Sequence, residues 1–582
     1  MNARLERTRR RFSRRAFFGW MGASTALATD TGVAPRRLWA DDKTSHLGAP
    51  SPDGRFISMV DVASGDLAIR DTGTGVVTRL TGKQEGSKEF AYFSAISRDS
   101  RRIAFAWFNA RGFYELRVVN ADGSGARVLH SNEERRFVQP CAWSADGKQI
   151  LTLFFRNDNI SQIALVSVSD ASVKVLKSLD WVYPNKMDLS PDGRWVIYDD
   201  LLREGEGARG LFLLATDGSS RKPAIAPQIH DVFPLFTRDG KGVLFLSTRE
   251  GSSDLWMQPL AGGKAQLLRK NMGRALPLGI SDKGDYYYAL RAGQSAVYIA
   301  DLDGMPGNAR VIGEGTGTPE WSPDGSRVAY VARAANENFG QDSRSIVIHD
   351  VSSGGHRTLA PKIAWFDHLR WSPDGKRFLA GGSDRHGQRG LYSIDAATGA
   401  VTPLVRIPAS TYEGFEGVWL DGGKSVCYWS DDDSTLRLLK GEGEPRQLYR
   451  AAGRGKPHDL VVSPGGRTVA FALRDAEADA VLILQIDGGS LRQVARVRGG
   501  GINGLSWTPD GKALLASAPS DPPGVWKIGL EGEPPRKLPW DLRQQGAVRV
   551  HPAGRYIAYT SGKTHTEIWV MERLVHATHH QR

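Results

Sequence analysis

Cysteine is scarce in this chain of 582 residues: only Cys141 and Cys427 are present, each inside an apolar run, "VQPCAW" and "SVCYWS". Two thiols so far apart exclude a disulfide framework, while buried free thiols and a single bridge both stay open. Long hydrophobic runs are also missing. The apolar stretch nearest the N-terminus, Ala16 to Ala28, falls short of the roughly 20 residues a membrane span needs, so no transmembrane segment is expected in the mature chain. Nor does charge of one sign gather on the folded part. The formal charge is +12, but residues 1–28 hold seven arginines against Glu6 and account for half of it. The rest is spread thinly, which excludes a nucleic-acid-binding face.

Glycine, by contrast, is abundant at 66 residues, as expected for many tight turns rather than long helices. The turns have a common wording. "SPDG" occurs at Ser51 (Pro52-Asp53-Gly54), Ser190 (Pro191-Asp192-Gly193), Ser322 (Pro323-Asp324-Gly325) and Ser372 (Pro373-Asp374-Gly375), and "TPDG" at Thr508 (Pro509-Asp510-Gly511). Looser copies start at Ser97, Ser144, Thr237, Ser281, Leu420, Ser463 and His551, giving twelve units with a mean spacing of about 45 residues. In this tetrapeptide proline presets φ, aspartate bonds back to the backbone, and glycine permits positive φ. An apolar, β-branched and aromatic run follows each turn, then a polar loop, a third apolar stretch, a second turn and a fourth stretch. Four antiparallel strands per unit make a small sheet with an apolar face that it cannot bury alone, and such sheets pack radially as propeller blades.

The motif W-S-P-D-G-[KR] followed by alternating apolar residues resembles the TolB-like propeller repeat, also called the PD40 or WD40-like repeat; it matches well at Ser322, Ser372 and Thr508. The resemblance covers about 530 residues and implies an all-β fold of two tandem β-propellers. Six plus six blades is the preferred division and seven plus five the second. The expected domains are a signal peptide (1–28), a first propeller (29–312) and a second (313–582). Residues 34–40, "APRRLWA", match the fourth-strand pattern and are expected to close the last blade beside Glu567–Met571, which otherwise has three strands.

At the N-terminus a basic head precedes a short, weakly apolar segment, the pattern of a signal peptide. Arg14-Arg15 followed by Phe17-Phe18 resembles the twin-arginine export motif and implies passage to the periplasm in the folded state.

For function the repeats carry little, because propellers host many activities. The sequence has no G-x-S-x-G, and repeats fill it to about residue 573, so a serine peptidase of the prolyl oligopeptidase type is expected to be excluded. The starts of the inner strands in the second half carry His368, Glu416, His458 and Asp459, candidates for a divalent cation or an anionic sugar at the channel. No catalytic residue and no cofactor is otherwise expected. The reading favoured is an exported, non-enzymatic scaffold that binds a protein or a cell-envelope polymer. A metal-dependent polysaccharide lyase or hydrolase acting at the second channel, and a small-ligand sensor or carrier, stand as alternatives. Oligomeric state is open.

Overall fold

The computed structural model describes residues 33–577 except 42–43, 46, 85, 88, 159, 180–182, 204–207, 227–229, 293–294, 303–307, 334–343, 364, 385–387, 408–415, 431–434, 452–455, 475–477, 499–500, 519–523, 539–546 and 563–564. The proposed export signal, with Arg14, Arg15, Phe17 and Phe18, lies outside the described residues. Within them the chain forms twelve four-stranded antiparallel sheets, and the longest helix is the single turn Leu574–Ala577. Each sheet is a blade, and the blades form two rings of six. The inner strands of the first ring converge on one central cavity and those of the second ring on another.

The recurring turn lies between the first and second strands of a blade, and its hydrogen bonds explain its wording. In Ser322–Gly325 the serine hydroxyl donates to Asp324 Oδ1 at 2.6 Å and accepts from the Arg327 amide at 2.9 Å. Asp324 Oδ1 accepts from the Ser326 amide at 3.0 Å, and Gly325, at φ 72°, donates its own amide to the Ser322 carbonyl at 2.8 Å. The same hydroxyl–carboxylate bond recurs at Asp53, Asp192, Asp374 and Asp510. Proline has no amide to leave unsatisfied in this arrangement.

The tryptophan ahead of the turn has a different task. Trp143 Nε1 donates to the Ala95 carbonyl, Trp321 Nε1 to Arg549 and Trp507 Nε1 to Val461, each acceptor on the inner strand of the preceding blade. A large apolar ring with one donor is suited to fill the wedge between two sheets and latch them. Farther out, basic side chains do the same. Arg127, Lys174, Arg310, Arg357 and Arg446, all on fourth strands, donate to carbonyls just past the third strand of the next blade: Val168, Thr216, Val351, Ala396 and Ile486. The thinly spread positive charge of the sequence is therefore partly structural. Between the blades lie clusters of fully buried side chains, such as Ile197, Val243 and Phe245 in one wedge and Phe471, Cys427 and Val469 in another. Cys141 and Cys427 are both free.

The rings do not divide at residue 313 as the sequence predicts. Tyr286–Ala292 of the first ring pairs with His565–Met571, and Ala296–Asp301 of the second ring pairs with Tyr556–Ser561. The chain thus crosses from the first ring to the second between Ala292 and Ala296 and returns between Ser561 and His565. Arg310–Glu314, which straddles the expected boundary, is the outer strand of a second-ring blade whose inner strand is Val548–Val550. The outer strand beside His565–Met571 is Arg36–Asp41, so the blade it completes belongs to the first ring. The physical reason is edge satisfaction: exchanging strands gives each sixth blade four strands, and each ring is closed by pieces distant in sequence.

Candidate functional site in the channel of the second ring

Two residues before each turn, the inner strand faces the channel. In the first ring these positions hold Ala49, Ala95, Ala142, Asp188, Leu235 and Gly279. The cavity there is only about 60 Å³, because Arg98, Lys186 and Arg238 reach across it. Lys186 Nζ donates to the Leu278 carbonyl at 3.1 Å, Arg238 donates to the Ile280 carbonyl, and Asp188 accepts the Phe236 amide at 3.0 Å. Burial pushes the Asp188 carboxyl up and the Lys186 ammonium down. This channel is filled by its own side chains.

In the second ring the corresponding positions are Glu320, Arg370, Val418, Val461, Ser506 and Arg549, around a cavity of about 380 Å³. The volume lies in the range of small-ligand pockets, roughly 300–1,000 Å³. Trp321, Trp371, Trp419 and Trp507 and five prolines of the turns complete its wall. Arg549 Nε donates to Glu320 Oε2 at 3.0 Å and its Nη1 to the Leu505 carbonyl at 2.7 Å. Arg370 Nη1 lies 3.7 Å from the same Glu320 oxygen. Burial, with the charge of Arg370 close by, lowers the Arg549 guanidinium to about 10, so it keeps its proton at neutral pH.

Nearer the starts of the inner strands stand the four residues singled out in the sequence. They form two pairs rather than one cluster. His368 Nδ1 lies 3.0 Å from Glu416 Oε1, and Glu416 Oε2 accepts the Leu460 amide at 2.8 Å, linking three neighbouring blades. His458 Nδ1 contacts Asp459 Oδ2 at 2.7 Å, with Asp479 Oδ2 at 3.4 Å from Nε2. His368 (φ 53°) and Asp459 (φ 59°) occupy the same place in their blades, four residues before the turn, where the register of the inner strand shifts. A bulge with a left-handed residue re-aims a side chain at a local cost of about 1–3 kcal/mol. Burial opposes charge on both imidazoles, but the carboxylates outweigh it: His368 is raised, and His458 is pushed up to about 9. Glu416 and Asp479 are held well below the usual carboxylate range by these partners. A charged imidazole has no lone pair for a metal. Among the described residues no group of three or more His, Cys, Asp or Glu side chains is placed to share an ion. Glu89, Asn185 and Asp231, near the starts of inner strands in the first ring, bond within their own blades, to Trp107, Asp199 and Arg249.

Sequence reasoning chose the start of the inner strand and missed Glu320, Arg370 and Arg549 at its end. The signal was present: these residues share one offset from the repeated turn.

No family model matches the chain. Among curated proteins it is similar to dipeptidyl-peptidase 5 of Aspergillus fumigatus, 28% identical over 443 residues, which is 72% of this chain and 55% of that protein. Tricorn protease homolog 1 of Streptomyces coelicolor is 25% identical over 49% of this chain and 28% of its own length, and the peptidase YuxL of Bacillus subtilis 27% over 34% and 29%. The chain therefore spans about half or less of the length of these relatives. Among solved structures, a putative TolB from Agrobacterium tumefaciens covers 40% of this chain and 84% of its own at 19% identity and a TM-score of 0.34. That is a likeness of fold alone.

The relatives correct two expectations of the sequence reading. A non-enzymatic scaffold is not what they point to, since several carry peptidase names, and a peptidase of the serine type is not excluded. The lack of G-x-S-x-G in these 582 residues does not decide the function of a chain that matches only part of each relative. No helix among the described residues is long and apolar enough to cross a membrane.

Proposed function

We propose a peptidase function in which the double propeller takes up the peptide, with the channel of the second ring as the receiving site. The observation that carries this reading is the similarity to a dipeptidyl-peptidase over 443 residues, a span long enough to involve both rings. The channel supports it. Its wall is apolar and aromatic, with a few placed polar groups, the composition of a site that buries a flexible organic ligand. Backbone carbonyls of a peptide would find donors in Arg370 and Arg549. Neither cysteine is poised as a nucleophile: burial pushes the Cys141 thiol up to about 12 and the Cys427 thiol higher still. The test is incubation of the purified chain with a defined set of short unstructured peptides, followed by mass spectrometry and calorimetry. Cleavage, or saturable binding lost on narrowing the channel with Val461→Trp, is expected. Peptides neither cut nor bound would overturn the reading.

A further inference from the structure

The cations and anions of the second channel do not balance. Among the described residues, each carboxylate near the starts of the inner strands has a basic partner: Glu416 has His368, Asp459 has His458, Asp479 has Arg474, and Asp367 has Arg344. At the mouth, two guanidinium groups share a single carboxylate, Glu320. Both arginines are only 6% exposed, so water screens the surplus poorly. A cavity in which two guanidinium groups meet one carboxylate carries one uncompensated positive charge, which suits a monoanion.

We propose that this mouth is a carboxylate site that receives the C-terminal carboxylate of a peptide, with Arg370 and Arg549 as its ligands. The anion site stands on the charges alone; the peptide as its source rests on the peptidase reading above. One surplus charge suits a carboxylate rather than a phosphate dianion. The tryptophan, proline and valine wall suits the apolar groups that a terminal residue brings with it. Glu320 holds the site open in the free state by tethering Arg549, and the incoming carboxylate competes with it.

The probe is trialanine with a free carboxylate, compared with trialanine amide and with acetate, by calorimetry on the whole chain. The free acid should bind, and the amide about tenfold or more weakly. Arg549→Gln should weaken the acid by about the same factor and abolish most of its preference over the amide. Glu320→Gln should tighten the acid several-fold, a gain that a poorly folded variant cannot imitate. If acid and amide bind alike, the carboxylate site is wrong while the peptide reading survives. Binding of acetate, sensitive to Arg549→Gln, with no binding of trialanine would keep the anion site and overturn its peptide source. Affinity for the acid unmoved by both substitutions would overturn the site.

Discussion

Single side chains in this protein act mostly by closing local accounts of hydrogen bonds and charge. Asp324 is held down to about 2, chiefly by the Ser322 hydroxyl and then by the Ser326 amide. Asp324→Ala should therefore cost about 1 kcal/mol in chemical denaturation, as one turn loses its acceptor. His458 acts in the other direction. Its folded value of about 9 lies above the ordinary 6.5, so the folded state holds the proton more tightly. The stabilisation is complete below about pH 6.5 and is lost as pH rises through about 9. His458→Gln should flatten the decline of stability across that window, as read from thermal melts at closely spaced pH values. A melt profile identical to that of the parent would show that Asp459 and Asp479 do not hold the imidazole charged.

At the scale of elements, the blades are alike except the two that close the rings. Arg36–Asp41 is held along the outer edge of His565–Met571 by backbone pairing and by Arg36–Glu572 and Arg37–Glu567 ion pairs. These exposed pairs contribute little. Trp39 contributes more: it is buried among Ile57, Leu278, Tyr287 and Ile568, with the Arg70 guanidinium 4.5 Å from its ring. Trp39→Ala should destabilise the chain by about 3–5 kcal/mol, well beyond the effect of Arg37→Ala. Deleting residues 33–41 leaves the His565–Met571 edge unpaired, and concentration-dependent association in sedimentation is the expected result. A deletion variant that melts like the parent and stays monodisperse would show the outer strand to be dispensable.

For the whole molecule, the crossing of the chain between the rings makes the first ring depend on a strand that follows the whole of the second. A fragment ending at Ala292 lacks the third strand of its sixth blade, and a fragment starting at Ala296 and ending at Ser561 is the only contiguous piece that holds all four strands of its own sixth blade. The second fragment should fold alone and the first should not, by circular dichroism and calorimetry. Soluble, cooperatively melting 33–292 would contradict the dependence of the first ring on His565–Met571. The N-terminal segment yields a separate expectation for the cell: Arg14→Lys with Arg15→Lys should keep the protein in the cytoplasm with its signal uncut, as shown by fractionation, if the twin-arginine resemblance reflects its route.

What the sequence determined by itself was everything local. Five turns written Ser/Thr-Pro-Asp-Gly and seven looser copies, each followed by a strand-forming run, specify twelve small sheets, because turn chemistry and period-2 patterning act over a few residues. The pairing of the N-terminal strand with His565–Met571 was legible as well, but the tertiary structure decided that this blade belongs to the first ring and that Ala296–Asp301 pairs with Tyr556–Ser561, 255–265 residues away. It also decided the site. His368, Glu416, His458 and Asp459 were legible as ionisable groups near a channel, but their pairing into two charged couples depends on bulges that aim them at neighbouring blades. Glu320, Arg370 and Arg549 come from three blades, and Arg549 lies more than 170 residues from Arg370 in sequence. Only closure of the ring puts two guanidinium groups against one carboxylate, and with them the unbalanced charge of the cavity.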